Sequence, residues 1–460
     1  MLKRILVVTA IILAAAVFLS GCDALTFNSA ENLVRPPKLA GADGELQAAF
    51  EKAVGEKGEY ILKYPSTGEY RSAYVRHDCD SDGEDEAFVF YSLKAEEMSV
   101  FVYMLDYQDG EWIAVGENPG EGNDVYSIEF CDLNNDGTDE VFIGWRSLDS
   151  KANRKLTVLS ADRTSENLAY KIIAIETFTA MYTVDIDSDS QQEILLAFIN
   201  STSDAYTTQA RLLKMKESGL TDYKIEHIGE TELYSGITAI NSMKSGLSGG
   251  RRYVYIDETA GDSYLTEMLY WDKTKSILAS AFVIDAVSFA DCPTSRSLPL
   301  VCSDVNRDGE LEIPVTTLLE GSVVISKSIQ DNDPYSIESN IYCTSWKRFA
   351  EGEFRTVNSY IYNEYDGFKL SCDEEFLADY IVKFFPDDSI TQIFLRGSTE
   401  EDENALLFTI RKLPKADVSE SDYQLAVGDE YTYICEITEN GEDAGITTSE
   451  IRNIFSLSAQ

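Results

Sequence analysis

The side chains of this chain best suited to chemistry are the oxygen-bearing ones of a nonapeptide that recurs. At Asp132 to Glu140 it reads DLNNDGTDE, with Asp132, Asn134 and Asp136 at positions 1, 3 and 5, Gly137 at 6 and Glu140 at 9. Alternating oxygens on a tight turn converge on one point when a glycine permits the bend, and Ca²⁺ accepts six to eight such oxygens. The same design stands at Asp78 to Glu86 (DCDSDGEDE), Asp185 to Glu193 (DIDSDSQQE) and Asp304 to Glu312 (DVNRDGELE). An isolated D-x-D-x-D in so acidic a chain is ordinarily a solvated turn; four in register imply cages for a hard cation.

The elements that must position these loops follow from their spacing. Loop starts at 78, 132, 185 and 304 give steps of 54, 53 and 119, the last close to two periods. Alternating β-branched and aromatic runs fill each period: EAFVFYSL, SVFVYMLDY, EWIAVGE and VYSIEF, then EVFIGW, KLTVLSA and AYKIIAI, then EILLAFI, ARLLKMK and TDYKIEHIG. A fixed period with one supersecondary unit per repeat means a propeller or solenoid, and four strands per unit is the content of a propeller blade. The double step predicts a unit whose loop has decayed, with strands in RYVYIDE, TEMLYWD and SILASAFVI. Its Asp257, Glu258 and Asp262 are wrongly spaced for an ion. A last unit holds ELEIPVTTL, NIYCTSWKRF and EFRTVNSYIY.

Position 12 separates these loops from helix-loop-helix calcium motifs. Those need a carboxylate there, and this chain has Val89, Ile143, Leu196 and Val315, all in strand-like runs. Loops with an acid at position 9 and a strand following resemble the FG-GAP/VCBS calcium repeats of integrin alpha-like propellers. The resemblance covers the four loops and their flanking strands. It implies a structural Ca²⁺ at each, up to four in all, held by side chains at 1, 3, 5 and 9 and the carbonyl at 7. The ligands would be Asp78, Asp80, Asp82 and Glu86; Asp132, Asn134, Asp136 and Glu140; Asp185, Asp187, Asp189 and Glu193; Asp304, Asn306, Asp308 and Glu312. The chain departs from the family in lacking the Phe-Gly and Gly-Ala-Pro segments, and the third loop has Ser190 where glycine is expected, at a cost of about 1 kcal/mol.

The expected fold class is therefore mainly β: a five- or six-bladed β-propeller over 58–366 with a small C-terminal α+β domain over 367–460. Ahead of it, 1–21 reads as a signal peptide, 22–42 as a tether stiffened by Pro36-Pro37, and 43–57 as a short amphipathic helix. In that helix Asp43 is placed to cap the N-terminus and Leu46, Phe50 and Val54 share a face. A closing helix is expected from Thr447, with a Thr447/Glu450 capping box.

The first residues join basic Lys3 and Arg4 to an apolar run from Ile5 to Leu19, which ends in Leu19-Ser20-Gly21-Cys22. This resembles the bacterial lipoprotein leader, which implies lipidation of Cys22 and an extracytoplasmic, membrane-anchored protein at the cell surface. An ordinary secretory leader or an uncleaved anchor is the alternative. The other seven cysteines have no CxxC spacing and read as buried thiols, with a Cys292–Cys302 disulfide left open.

With a formal charge of -42, nucleic acid is not a partner. Catalysis has little support: there are two histidines, His77 and His227, and no HExxH, GxSxG or phosphate-binding loop. A solute-binding importer subunit would need βαβ alternation, which 58–367 lacks. The expected function is a non-enzymatic, calcium-binding scaffold for a surface glycan or protein. A polysaccharide-active lyase or glycosidase on a calcium-stabilised propeller is the alternative. Trp112, Trp145, Trp271 and Trp346 are candidates for sugar stacking, or for packing between blades.

Overall fold

The computed structural model describes residues 42–458 apart from 148–149, 163–167, 202–205, 218–222, 283–291, 328–334 and 398–402. The leader, Cys22 and the tether before Ala42 lie outside the described residues. The chain is mainly β, 59% strand against 11% helix. No helix among the described residues is long and apolar enough to cross a membrane.

Helix α1 (Ala42–Val54) comes first. Asp43 lies inside its first turn rather than at its cap, where it faces the helix N-terminus favourably and pairs with Arg76 at 3.2 Å. Leu46, Phe50 and Val54 are buried, as their i, i+4, i+8 spacing predicts. They cover one face of sheet one: β1 (Tyr60–Leu62), β2 (Tyr74–His77), β3 (Glu86–Leu93), β4 (Phe101–Gln108) and β5 (Glu111–Pro119). Phe50 meets the rings of Tyr60, Tyr74, Tyr91 and Tyr103 edge-on at 5.2 to 5.9 Å.

Three four-stranded antiparallel meanders follow, each in simple sequence order. Sheet two is β6 (Asp124–Cys131), β7 (Glu140–Ser147), β8 (Ser150–Asp162) and β9 (Ala169–Phe178). Sheet three is β10 (Ala180–Val184), β11 (Glu193–Ser201), β12 (Tyr206–Glu217) and β13 (Tyr223–Leu233). Sheet four is β14 (Ala239–Ser248), β15 (Arg251–Ala260), β16 (Ser263–Asp272) and β17 (Ile277–Ser280). Each sheet buries a face against the next. Phe88, Phe90 and Met104 of sheet one pack with Val125, Ile143 and Trp145 of sheet two, where the Phe90 and Trp145 rings lie 6.0 Å apart. Phe142 and Leu156 meet Ile194 and Leu213, and Leu195 and Leu212 meet Val254 and Leu269. A fully buried side chain of this size contributes about 1.5–3 kcal/mol. Trp145 thus packs between sheets.

Sheet four is the unit expected to have lost its loop. A turn at Gly249-Gly250, both left-handed (φ 57° and 78°), joins its first two strands in place of the acidic nonapeptide, a conformation open to glycine without steric cost.

Sheet four also has an interior of its own kind. Asp257, fully buried, accepts from Arg296 Nη2 at 2.9 Å, from Thr266 at 2.7 Å and from the Cys302 amide at 3.0 Å, tying 292–303 to the sheet. Beside it, Glu258 is fully buried against Glu267, to which its protonated carboxyl donates, and Glu267 also accepts from the Tyr234 amide at 3.0 Å. Burial first, and mutual repulsion second, hold Glu258 well above the usual carboxylate range, while burial pushes Glu267 up to about 7. A carboxyl whose folded pKa is raised costs stability as pH climbs past its unfolded value, because only the unfolded chain releases its proton. Glu258→Gln is therefore expected to raise the melting temperature at pH 8 and to leave it unchanged at pH 4. A gain of equal size at both values contradicts a buried neutral acid.

The last sheet has ten strands and is nearly closed. Its order is β25 (Tyr423–Val427), β26 (Tyr431–Ile437), β24 (Ala405–Pro414), β23 (Ile390–Leu395), β22 (Tyr380–Phe385), β18 (Ile313–Lys327), β19 (Tyr335–Ala350), β20 (Glu353–Asn363), β21 (Phe368–Ser371) and β27 (Phe455–Leu457). Hydrogen bonding is thus continuous across residue 366: β18 pairs in parallel with β22 at Val323–Lys383 and Val324–Phe384, and β20 pairs with β21. The two ends approach one another where the Tyr433 ring of β26 lies 5.4 Å from Phe455 of β27, and the Tyr433 hydroxyl donates to the Asp366 carbonyl in the turn between β20 and β21 at 2.6 Å. Helices α2 (Glu374–Asp379), α3 (Glu439–Asp443) and α4 (Thr448–Ile454) belong to this part, and α4 carries the Thr447/Glu450 capping box. All seven described cysteines are unbridged. Cys292 contacts Thr294 at 3.3 Å and Cys302 contacts Asp257 at 3.3 Å; the two sulfurs that lie together are those of Cys343 and Cys372, 2.7 Å apart.

Candidate metal centres

Three of the four acidic loops fill one structural place, a corner between two paired antiparallel strands at the start of a sheet: 78–86 between β2 and β3, 132–140 between β6 and β7, 185–193 between β10 and β11. The fourth, 304–312, leads from a Ser303–Glu312 bridge into β18.

The four loops share most of their internal hydrogen bonding; loops two to four add a bond from the position-5 amide to the position-1 aspartate that loop one lacks. The glutamate at position 9 accepts from the amide of position 2: Cys79 to Glu86 at 2.6 Å, Leu133 to Glu140, Ile186 to Glu193 and Val305 to Glu312 at 3.0 Å each. The aspartate at position 1 accepts from the amide of position 6, Gly83 to Asp78 at 3.1 Å, Gly137 to Asp132 at 2.8 Å, Ser190 to Asp185 at 3.1 Å and Gly309 to Asp304 at 2.9 Å. Asp82, Asp136, Asp189 and Asp308 accept from position 7 at 2.8 to 3.0 Å. Asp80, Asn134, Asp187 and Asn306 accept from position 5 at 3.0 to 3.3 Å. In loop one this leaves Asp78 Oδ1 and Glu86 Oε1 without a donor, whereas in loops two to four the position-1 aspartate accepts from the amides of positions 5 and 6 on its two oxygens.

Two backbone positions are left-handed in every loop. Position 6 has φ 93°, 85° and 87° at Gly83, Gly137 and Gly309, and 76° at Ser190. Position 4 has φ 60°, 60°, 55° and 62° at Ser81, Asn135, Ser188 and Arg307, which spacing did not reveal because no glycine marks it. Ser190→Gly relieves the steric cost of a side chain at φ 76° and is expected to stabilise the protein by about 1 kcal/mol in thermal unfolding. An unchanged or lower melting point contradicts that strain.

Loop one fits a cation best. Ligand oxygens of Asp78, Asp80 and Glu86 lie within 4.8 Å of one another, and Asp185, Asp187 and Glu193 form a second such group. Glu86 is only 1% exposed, yet its Oε1, like Asp78 Oδ1, is buried without a hydrogen-bond partner. A buried carboxylate oxygen with no donor is costly unless a cation meets it. Burial pushes Glu86 up to about 8, against the Cys79 amide and with the Asp80 and Asp82 carboxylates raising it further; Glu140 and Glu193 rise to about 7 for the same first reason. These acids would give up their protons to a cation. When bound, a divalent ion supplies the missing partner for oxygens from several positions of a loop at once.

Residues that spacing did not mark complete these sites. His77 Nε2 lies 2.7 Å from Asp139 and Nδ1 3.1 Å from the Tyr70 hydroxyl, while its ring stacks on Phe130 at 4.1 Å, so it joins loop one to loop two. Main-chain bonds join consecutive loops at equivalent places: Asp139 donates to the Cys79 carbonyl at 2.7 Å and Gln192 to the Leu133 carbonyl at 3.0 Å. The loops thus fix the register of neighbouring sheets as well as their own corners. Loop two opens into a cleft of about 450 Å³ shared with Lys214 and Tyr223 of sheet three. His227 pairs with Glu176 at 2.7 Å across sheets three and two. Trp346 donates to the Tyr362 hydroxyl at 2.9 Å within the last sheet. Comparison with models of known families and with curated proteins finds no match for the chain.

Proposed function

We propose that this chain is an exported, lipid-anchored, calcium-stabilised scaffold of the propeller type, built with FG-GAP/VCBS-like loops, that holds a surface glycan or protein without acting chemically on it. The observation that carries the reading is the shared hydrogen-bonding core of the four loops, three of them at the equivalent corner of sheets one to three. The propeller assignment draws support from a cleft of about 430 Å³ lined by the first strands of three consecutive sheets, with Tyr126 and Glu129 from β6, Met181 from β10 and Met243 from β14. First strands that converge on a common cleft are what blades around an axis require. Units one to four and the β18–β21 part of the last sheet make five blades, with α1 packed on the outer face of the first.

A rigid β-framework that presents corners and a cleft is suited to binding, and the carboxylates at those corners are engaged in the loops themselves. The calcium-loaded protein is expected to be retained on an immobilised surface glycan or protein and to leave polysaccharide chain length unchanged. Progressive shortening of a polysaccharide overturns the non-enzymatic reading in favour of a lyase or glycosidase. Cys22→Ala is expected to move the protein from the membrane fraction to the soluble fraction of its host; unchanged fractionation contradicts the lipid anchor.

A further inference from the structure

Opposite the position-9 glutamate, on the strand that follows the one each loop leads into, stands a residue whose charge differs from loop to loop. Glu86 on β3 pairs with Asp106 on β4, and Glu193 on β11 pairs with Lys214 on β12. One step beyond the paired Val141–Leu159 and Ile313–Lys347, Glu140 meets Ser160 and Glu312 meets Arg348. These four residues reach the loops. Lys214 Nζ lies 2.9 Å from Asp187, 2.7 Å from Asp189 and 2.5 Å from Glu193, and Lys214 is 8% exposed. Arg348 contacts Asp308 and lies 2.8 Å from Glu310 and 3.0 Å from Glu312. Ser160 donates to Glu140 at 3.0 Å. Asp106, 3% exposed, adds a further acid beside loop one, where Glu86 Oε1 has no partner.

We propose that this cross-strand residue decides which loops take calcium: loops one and two bind it, while Lys214 and Arg348 occupy loops three and four as built-in cations. This rests on the calcium reading above and divides its four sites into two kinds. A side-chain ammonium or guanidinium held by three carboxylates supplies the positive charge the loop needs, and a divalent ion must displace it to enter. Calcium affinity follows the carboxylate count, so the order expected is loop one, with Asp106 added, ahead of loop two, and both well ahead of the filled loops. The arrangement gives one end of the array ion-dependent corners and keeps the later corners filled in the absence of calcium.

The test is calcium stoichiometry by equilibrium dialysis at 1 and 5 mM calcium on the full chain, with thermal melts as the control for folding. The wild type is expected to bind two ions. Lys214→Ser and Arg348→Ser should each bind one more, and each should melt lower than wild type in chelator with the loss restored by calcium. Lys214→Arg should stay at two. Asp106→Asn should weaken the tightest site by about tenfold, and Asp106→Lys should remove it. Four ions in the wild type, or an unchanged count in a folded Lys214→Ser variant, overturns the division while leaving the calcium reading intact. Binding by none of the proteins overturns the calcium reading itself.

Discussion

Removal of divalent cations is expected to lower the melting temperature, and calcium added back should restore it in a concentration-dependent way. Ligand that binds only the folded state stabilises by RT ln(1 + [L]/Kd), about 2.7 kcal/mol per site at a hundredfold excess over Kd. Extracellular modules with oxygen cages hold calcium with Kd of about 10⁻⁴ to 10⁻³ M, so 10 mM calcium gives about 1.4 to 2.7 kcal/mol at each open loop. The effect should fall on sheets one and two, whose corners loops one and two form and whose consecutive loops are tied at Asp139–Cys79. Amide exchange in β3 and β7 should therefore slow on calcium addition more than exchange in β15. Magnesium, which demands a smaller octahedral cage, should substitute poorly. Identical melts in chelator and in 10 mM calcium contradict structural sites.

Arg296→Met is expected to destabilise the protein by about 3–5 kcal/mol, as the loss of one member of a buried ion pair does. Both Arg296 and Asp257 have side chains with no exposure, and the guanidinium also meets Thr266 at 2.9 Å and the Leu300 carbonyl at 2.8 Å. Once the arginine is gone, the Asp257 carboxyl is left in the interior with only the Thr266 hydroxyl, the Cys302 amide and the Cys302 thiol near it. Converting Asp257 to Asn in the same protein should recover much of the loss, which separates an unpaired charge from lost packing. By contrast, the half-exposed Lys57–Glu117 pair at 2.5 Å should cost about 1 kcal/mol or less when broken. Equal losses at the two pairs would place Arg296 in an environment wetter than its burial indicates.

Sheet four shows why one unit does without an acidic corner. Its first hairpin is closed by Gly249-Gly250, and the connection that follows the sheet is held instead by Asp257 and Arg296 from within. The wrongly spaced Asp257 and Glu258 are thus interior groups. Glycines mark the turn openly in the chain, whereas Arg296 lies 39 residues from Asp257, too far for any local pattern to connect them.

Much of the architecture is written in short-range features. The strand EAFVFYSL is β3 residue for residue, because alternation and a bounding acidic turn both act locally. The capping box at Thr447 and Glu450 is likewise a four-residue signal. The loops themselves are legible because positions 1, 3, 5, 6 and 9 do separate jobs within nine residues. What spacing could not supply depends on register. Lys214 faces Glu193 only because β11 and β12 pair as they do, and Arg348 lies 36 residues from Glu312 across a strand that breaks register between Leu318 and Val323. Position 4 of each loop is left-handed without a glycine to announce it. The β18–β22 pairing that carries the last sheet past residue 366 spans 60 residues and two bonded positions. No composition shift announces it.

The most direct measurement is anomalous scattering from crystals of the full chain grown in calcium. Peaks are expected at the centres of loops one and two, within bonding distance of Glu86 and Glu140, with the Lys214 amine and the Arg348 guanidinium seated in the other two. Well-ordered loops with no peak at any of the four, in crystals grown with 10 mM calcium, would contradict the account that these corners are built around a cation.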